Sequence, residues 1–192
     1  MDSEKIDFQA VQQAVFHEVA ENINKRGRFE LDISLTPANE QAKMDLSDLV
    51  QQEKLMWDFK IKSHPAMLGV SNPKPEHLIH IVLYYGDKDK NYSCIGAALG
   101  TVNTDYSAIE LDYIEKRSDA GEDFSGAFMP VITSALTAYA RLLNVRYAFS
   151  IDKFVLVNPV EGALNYYSKL GFNGPTDSYD SDRRVVYKEF VF

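Results

Sequence analysis

The sequence predicts a mixed α/β (α+β) fold: one sheet with helices packed on it. Three observations lead there. Residues 78–116 hold three consecutive strand-like segments joined by short polar turns, the pattern of an antiparallel meander. Residues 129–144 then form a long apolar-striped helix between two strand-like runs, long enough to serve as a crossover between parallel neighbours. Elsewhere the apolar period switches repeatedly between 3.6 and 2, giving the order helix, strand, helix, three strands, helix, strand, helix, strands.

Phe8, Val11, Val15, Val19 and Ile23 recur every three or four positions, so residues 7–24 read as an amphipathic helix with Asp7 as its cap. Lys25-Arg26-Gly27 ends it, placing cations at the negative end of the helix. The period becomes two at Phe29, Leu31, Ile33 and Leu35, a half-buried strand stopped by Pro37. Leu46, Leu49, Val50, Met56, Trp57 and Phe59 return to helical spacing between Asp45 and Phe59, with Trp57 as a packing anchor. Residues 60–77, with Pro65, Gly69, Pro73 and Pro75, read as an irregular loop of the kind that carries substrate contacts. The meander follows: Leu78–Tyr85, Tyr92–Val102 and Ser107–Lys116, with the 86–91 turn between the first two. Gly96 and Gly100 inside its second strand mark a bulge or a close approach. In its third strand Ile109, Leu111 and Tyr113 alternate with Glu110 and Asp112, which puts the two carboxylates on one face.

Phe128, Ile132, Ala135, Leu136, Tyr139, Ala140 and Leu143 mark the buried side of the long helix, and Pro130 falls in its first turn, where its missing N–H is not needed. Phe154-Val155-Leu156-Val157 is a buried strand ended by Asn158-Pro159. Ala163, Leu164, Tyr167 and Leu170 form a short helix, with Gly171 at the position that tolerates positive φ and Phe172 placed to fold back on the last turn. Two strands close the chain, a weak one at 172–177 and a stronger one at 184–192 that is apolar on both faces.

The run Phe154–Phe172 resembles the last strand-helix unit of the GCN5-related N-acetyltransferase (GNAT) superfamily. There a strand passes through an Asn-containing turn into a helix ending Tyr-x-Lys-x-Gly-Phe, here Asn158, Ala163, Tyr167, Lys169, Gly171 and Phe172. The resemblance spans residues 29–192. It implies a GNAT-like domain over 28–192, with residues 1–27 as a helical extension packed on it. It also implies a mostly antiparallel sheet with one parallel pair at the cofactor wedge, and helices on both faces. In such a domain acetyl-CoA is the co-substrate, and its pantetheine arm lies in the wedge between the two parallel strands. The resemblance places Leu111, Tyr113, Ile114 and Glu115 along that arm, with Asn158 at the turn. It assigns Tyr167 to the leaving sulfur as general acid, and puts a carboxylate base on the third meander strand: Glu110 first, then Asp112, with Glu115 a rival.

The family's phosphate loop corresponds best to Asp123-Phe124-Ser125-Gly126-Ala127-Phe128. Its first residue is acidic where the family has Gln or Arg, and its last is bulky where the family has Gly or Ala. Asp119, Glu122 and Asp123 add negative charge where a diphosphate should dock. Lys116 and Arg117, with the backbone N–H groups of Gly126, Ala127 and Phe128, are the groups left to hold it.

A net charge of −8 disfavours broad contact with nucleic acid and would attract a cationic acceptor, a small-molecule amine or a basic peptide; it also serves solubility. The four histidines have no metal spacing, and the single cysteine, Cys94, reads as a small buried hydrophobe in a reducing, cytoplasmic protein. There is no eighteen-residue apolar run for a membrane span. Two functions stay open: an acyl-CoA-dependent N-acyltransferase, with acetyl or a larger acyl group, and a non-catalytic binding protein on the same fold. A homodimer through the first helix or the last strand is a further expectation.

Overall fold

The computed structural model describes residues 6–68, 74, 77–87, 91–176, 179 and 182–190. Gly69, Pro73 and Pro75 of the expected loop, Lys88–Lys90 of the hairpin, and Val191 and Phe192 of the last strand lie outside the described residues. Helix α1 (Phe8–Lys25) starts where Asp7 accepts from the N–H groups of Gln9 and Ala10. Strand β1 (Asp32–Thr36) is shorter than its alternation suggests: Leu31 is exposed and Phe29 stacks on Phe124 outside the strand.

Helix α2 (Glu40–Gln51) begins before its expected start because Asn39 caps it, accepting from the Ala42 N–H. It stops at Gln51, so Met56 and Trp57 are not helical, and Met56 is 92% exposed. A single turn, α3 (Phe59–Lys62), is capped by Asp58. The meander is β2 (Leu78–Gly86), β3 (Tyr92–Asn103) and β4 (Ala108–Lys116). Helix α4 (Phe128–Tyr147) buries every residue of the expected stripe and ends on Ala148 in the left-handed conformation. Then come β5 (Lys153–Val157), α5 (Leu164–Lys169), β6 (Asn173–Thr176) and β7 (Val185–Glu189).

The strands form one seven-stranded sheet, ordered β1-β2-β3-β4-β5-β7-β6, in which β4 and β5 are the parallel pair and the other pairings are antiparallel. Helix α4 is the crossover between that pair. The main core lies between one sheet face and α1 and α4: Ile79, Ile81, Leu83, Ile109, Leu111 and Phe154 meet Phe16, Ile132, Leu136 and Tyr139. A second core covers the opposite face, where Ala42, Leu46, Leu49 and Phe59 pack on Val82, Ala97 and Leu99. The sheet is therefore sandwiched between helices, the mixed arrangement expected. Cys94 belongs to this second core, and burial pushes its thiol up to about 12, so it stays a neutral, apolar-packed group.

The expected alternation of β4 breaks at one point. Leu99 pairs with Tyr113 but Gly100 pairs with Leu111, leaving Asp112 as the extra residue of a bulge. The phase of side chains shifts there. Tyr113 packs with the second core and Ile114 with the first, so Tyr113 does not continue the Ile109–Leu111 face. Gly100 permits this: a Cβ there would lie far inside contact distance of the Glu110 carbonyl oxygen.

His80 sits on the second-core face of β2, edge-on to Phe59 at 5.5 Å, and burial is the main cause that lowers its pKa to about 4. Above pH 6.5 the imidazole is neutral folded or unfolded. Between pH 6.5 and 4 the unfolded chain takes up a proton that the fold refuses, so stability falls as the pH falls through this window. The His80→Gln variant should lose about 2 kcal/mol less than the parent between pH 7 and 4.5. Urea unfolding at the two pH values measures this, and equal losses would refute it.

Candidate active site

The site begins where the parallel pair separates. Pairing of β4 with β5 runs from Ala108–Lys153 to Leu111–Leu156 and stops, although β4 continues to Lys116. Two local features part the strands. The Asp112 bulge bends β4. On the other side Asn158 takes φ 49° and Pro159 follows, which ends β5. Asn158 is held there by its N–H, which donates to the Arg184 carbonyl at 2.8 Å.

A cavity of about 380 Å³ fills the gap. Leu111, Asp112, Tyr113 and Ile114 form one wall and Leu156 to Val160 the other. Trp57, Met67 and Leu68 close one side, and Tyr167 and Arg183 also line it. Among the described residues the edge of β4 beyond Leu111 has no strand opposite where it faces this cavity, which leaves its backbone groups to an extended ligand.

Tyr167 reaches the cavity because of how its helix ends. The Phe172 N–H donates to the Tyr167 carbonyl at 3.1 Å and the Gly171 N–H to the Ser168 carbonyl at 2.9 Å, with Gly171 at φ 85°. Phe172 then packs its ring edge-on to Tyr167 at 6.0 Å. This is the fold-back that Gly-Phe predicts. Among the described residues the Tyr167 hydroxyl has no hydrogen-bond partner, and burial raises its pKa, so it carries its proton at neutral pH.

Glu110 has a different place from the one expected. It is fully buried, and its carboxylate takes four hydrogen bonds: Asn103 Nδ2 at 2.8 Å, Tyr179 Oη at 2.6 Å, and both terminal nitrogens of Arg183 at 2.8 and 3.1 Å. A carboxylate with four donors has no lone pair left for a substrate proton. The base assignment to Glu110 is therefore corrected: it is an anchor for Arg183 and Tyr179. Of the two carboxylates, only Asp112 lines the cavity. The rival, Glu115, accepts from the Met56 N–H at 2.8 Å and the Trp57 N–H at 3.4 Å, and burial raises its pKa against the pull of those bonds. Glu115 thus fixes Trp57 beside the cavity.

The loop expected to meet a phosphate offers mainly backbone. Gly126 takes φ 76° with open space beside it, and the N–H groups of Phe128 and Met129 at the start of α4 have no protein acceptor among the described residues. Ala127 is the N-cap. Phe124 is buried between Phe29 and Tyr85, and Phe128 belongs to the main core, so neither ring plugs the wedge. Asp123 is turned onto the Tyr85 hydroxyl, 2.6 Å away. Arg117 does not compensate as expected. Its guanidinium is tied to Asp119, at 3.0 Å from Nη2, and to the Cys94 carbonyl. Arg117, with Lys54 also contributing, holds the Asp119 carboxyl well below its usual range. Lys116 has no acidic partner among the described residues.

A larger cavity, about 780 Å³, lies elsewhere, between α1 and α4 beside Leu170 and Lys188. It touches neither the parted strands nor Tyr167. Among the described residues no group of three or more His, Cys, Asp or Glu could hold a metal, and no helix is long and apolar enough to cross a membrane.

The fold is similar to that of solved structures. The chain aligns with the ribosomal-protein-S18-alanine N-acetyltransferase of Escherichia coli at TM-score 0.54 and 13% identity, over 83% of this chain and 95% of that one. This is the GNAT fold. A GNAT-family acetyltransferase from Staphylococcus aureus Mu50 aligns at TM-score 0.53 and 14% identity, over 83% and 99%. A mutant of the AtaT toxin, solved with the C-terminus of the antitoxin AtaR and acetyl-CoA, aligns at TM-score 0.51 and 11% identity, over 82% and 93%. No family model and no curated protein matches the sequence. What the GNAT fold shares with these structures is architecture; α1 packs against β1 and α4.

Sequence reasoning missed Arg183 and Tyr179, since neither stands near Glu110 in the chain. Breaking a buried ion pair from one side strands the other charge, at a cost of about 3–5 kcal/mol. Arg183→Met should cost that much by urea denaturation. Adding Glu110→Met should recover most of the loss, because no buried charge then remains. A double variant as unstable as the sum of two single losses would refute this account.

Proposed function

We propose that the protein transfers an acyl group, most simply acetyl, from a CoA thioester to the amine of an acceptor. The observation that carries this reading is the open cavity between β4 and β5 with the unpaired Tyr167 hydroxyl on its wall. The groups present fit acetyl-CoA. The free edge of β4 from Asp112 to Glu115, just beyond the last pair at Leu111, offers N–H and C=O groups to an amide-bearing arm, as a partner strand would. The N–H groups of Phe128 and Met129, with Gly126, Ala127 and Lys116, suit a diphosphate. The co-substrate would supply the acyl group, activated on a sulfur that leaves as a thiolate.

The chain's own residues do the rest. Backbone N–H groups along the parted β4 edge stabilise negative charge on a carbonyl oxygen, fixed in advance by the sheet. Tyr167, kept protonated by burial, gives its phenolic proton to the departing sulfur. An ammonium has no lone pair, so the acceptor must shed a proton before attack. Asp112 lines the cavity, which supports assigning it the acceptance of that proton, directly or through water.

A second reading is favoured by the acidic loop. With Arg117 committed to Asp119, diphosphate binding rests on backbone and Lys116, and a non-catalytic protein on this fold would need no more. Calorimetric titration with acetyl-CoA separates the two. Binding at about micromolar Kd supports the transferase; no heat at millimolar acetyl-CoA supports the binding protein. Tyr167→Phe should leave that Kd unchanged and lower kcat by roughly a hundredfold. An unchanged kcat would remove Tyr167 as the acid.

A further inference from the structure

Helix α5 carries Tyr167 but fully buries none of its six residues. A helix this short, with no buried stripe, depends on what fastens its ends. Its last turn is drawn onto Tyr167 itself. The Tyr167 carbonyl accepts from the Leu170 N–H at 3.0 Å and from the Phe172 N–H at 3.1 Å. Leu170 and Phe172, the residues on either side of Gly171, are each held in turn from the sheet.

The holders are one cross-strand pair. Phe154 of β5 and Lys188 of β7 stand opposite each other in register. The Phe154 ring meets the Phe172 ring edge-on, with centroids 5.4 Å apart. The Lys188 ammonium donates to the Leu170 carbonyl at 2.9 Å. The end of its stem lies against Gly171, where a Cβ would stand 3.6 Å from the Lys188 Cε. Lysine is an odd choice for this row of β7. Val186 belongs to the main core and Phe190 packs against it, so between them Lys188 is half-buried and its stem runs along apolar surface. The cavity of about 780 Å³ reaches Lys188 and Leu170, so water could satisfy the Leu170 carbonyl in its place. Water would not tie that carbonyl to β7.

From this we infer that Lys188 is a positioning residue for Tyr167: it fixes the end of α5 to β7 and so sets where the phenol meets the cavity between β4 and β5. The catalytic consequence rests on the acyltransferase reading; the clamp itself does not. Lys188 does not line the cavity that holds Tyr167, so it acts through Leu170 and the Tyr167 carbonyl rather than on a reacting atom. The ring of Phe154 and the ammonium of Lys188 pin neighbouring points of one turn, which leaves the phenol little freedom to drift. A proton donor misplaced by about 1 Å can lose roughly a hundredfold in rate.

NMR of protein with tyrosine isotope-labelled at the ζ carbon reads the clamp without turnover. The Tyr167 signal is identified by its loss in Tyr167→Phe. In Lys188→Met, which keeps the unbranched stem and removes the donor, that signal should shift and broaden, while those of Tyr84 and Tyr85 on β2 stay in place. Lys188→Arg, which can still donate to the carbonyl, should keep the Tyr167 signal near its parent position. With acetyl-CoA and a panel of primary amines, Lys188→Met should lower kcat about tenfold for the amine the parent acetylates fastest, and leave the acetyl-CoA Kd unchanged. In the Tyr167→Phe background the same change should cost less than about twofold, because the group it positions is gone.

A Tyr167 signal unmoved in folded Lys188→Met, one displaced as far by Lys188→Arg, or an equal loss of kcat in both backgrounds would overturn the positioning role and leave the acyltransferase reading standing. Failure to bind acetyl-CoA would overturn that reading, and the Tyr167 signal would still decide whether Lys188 holds the phenol.

Discussion

The contact that the rest of the site depends on is the close approach of β3 to β4 at Gly100. The Glu110 carbonyl lies where any Cβ at that position would be. Only glycine lets the two backbones meet so tightly, and directly afterwards β4 gains its extra residue, Asp112. The bulge has three consequences at once. It ends the pairing with β5 at Leu111–Leu156, it brings Asp112 to the cavity, and it rotates Tyr113 onto the face where Trp57 waits. A strand in unbroken register would put Tyr113 with Ile109 and Leu111 in the main core and would leave no free edge to bind an extended ligand.

A parted pair of strands is a weak point in a sheet, and the Glu110 network offsets it. Below the wedge the sheet is closed by Ala108, Val155, Val157 and Val185, a small apolar cluster. Beside that cluster Glu110 draws Arg183 and Tyr179, both from the chain between β6 and β7, onto β4. One buried carboxylate thus ties the far edge of the sheet across β5 to the strand that lines the cavity. Because Arg183 also lines the cavity, the same ion pair presents a polar but electrically balanced surface to it.

Much of the fold was legible in the sequence because it rests on period and punctuation. The α4 stripe, the three meander strands and the Gly171-Phe172 stop need only local rules, and these local rules agree with the tertiary packing. The site was legible in part. Tyr167, which lines the cavity, stood out because its helix ending is a short, fixed pattern. The contacts of Glu110 and the face that Tyr113 takes were not legible, since alternation in Ile109-Glu110-Leu111-Asp112-Tyr113 looks uninterrupted and a bulge leaves that alternation intact in the sequence. Gly100 was the signal of the bulge, but it lies on the partner strand. Arg183 is 73 residues from Glu110, and no local rule pairs them. Trp57 was placed on a helix that its neighbours do not sustain, because the Asn39 cap shifts that helix toward the N-terminus.

The loop before α4 shows how a departure in sequence can be smaller in space. Phe128 stands where a small residue was expected beside a ligand, but it is the first core residue of the helix and points inward. Asp123 is acidic where a donor was expected, but its carboxylate is engaged by Tyr85. Beside the exposed side chains of Glu122, Asp123 and Ser125, the loop keeps backbone donors: the positive-φ Gly126 segment and the first N–H groups of α4, which have no acceptor among the described residues. Binding by such groups depends on geometry rather than on side-chain identity, so the loop can lose its basic residue and keep its donors. The loss falls on long-range attraction, since Arg117 spends its charge on Asp119. An anion held there would owe its affinity to short hydrogen bonds from a fixed frame, and the net charge of −8 would act mainly on its rate of arrival.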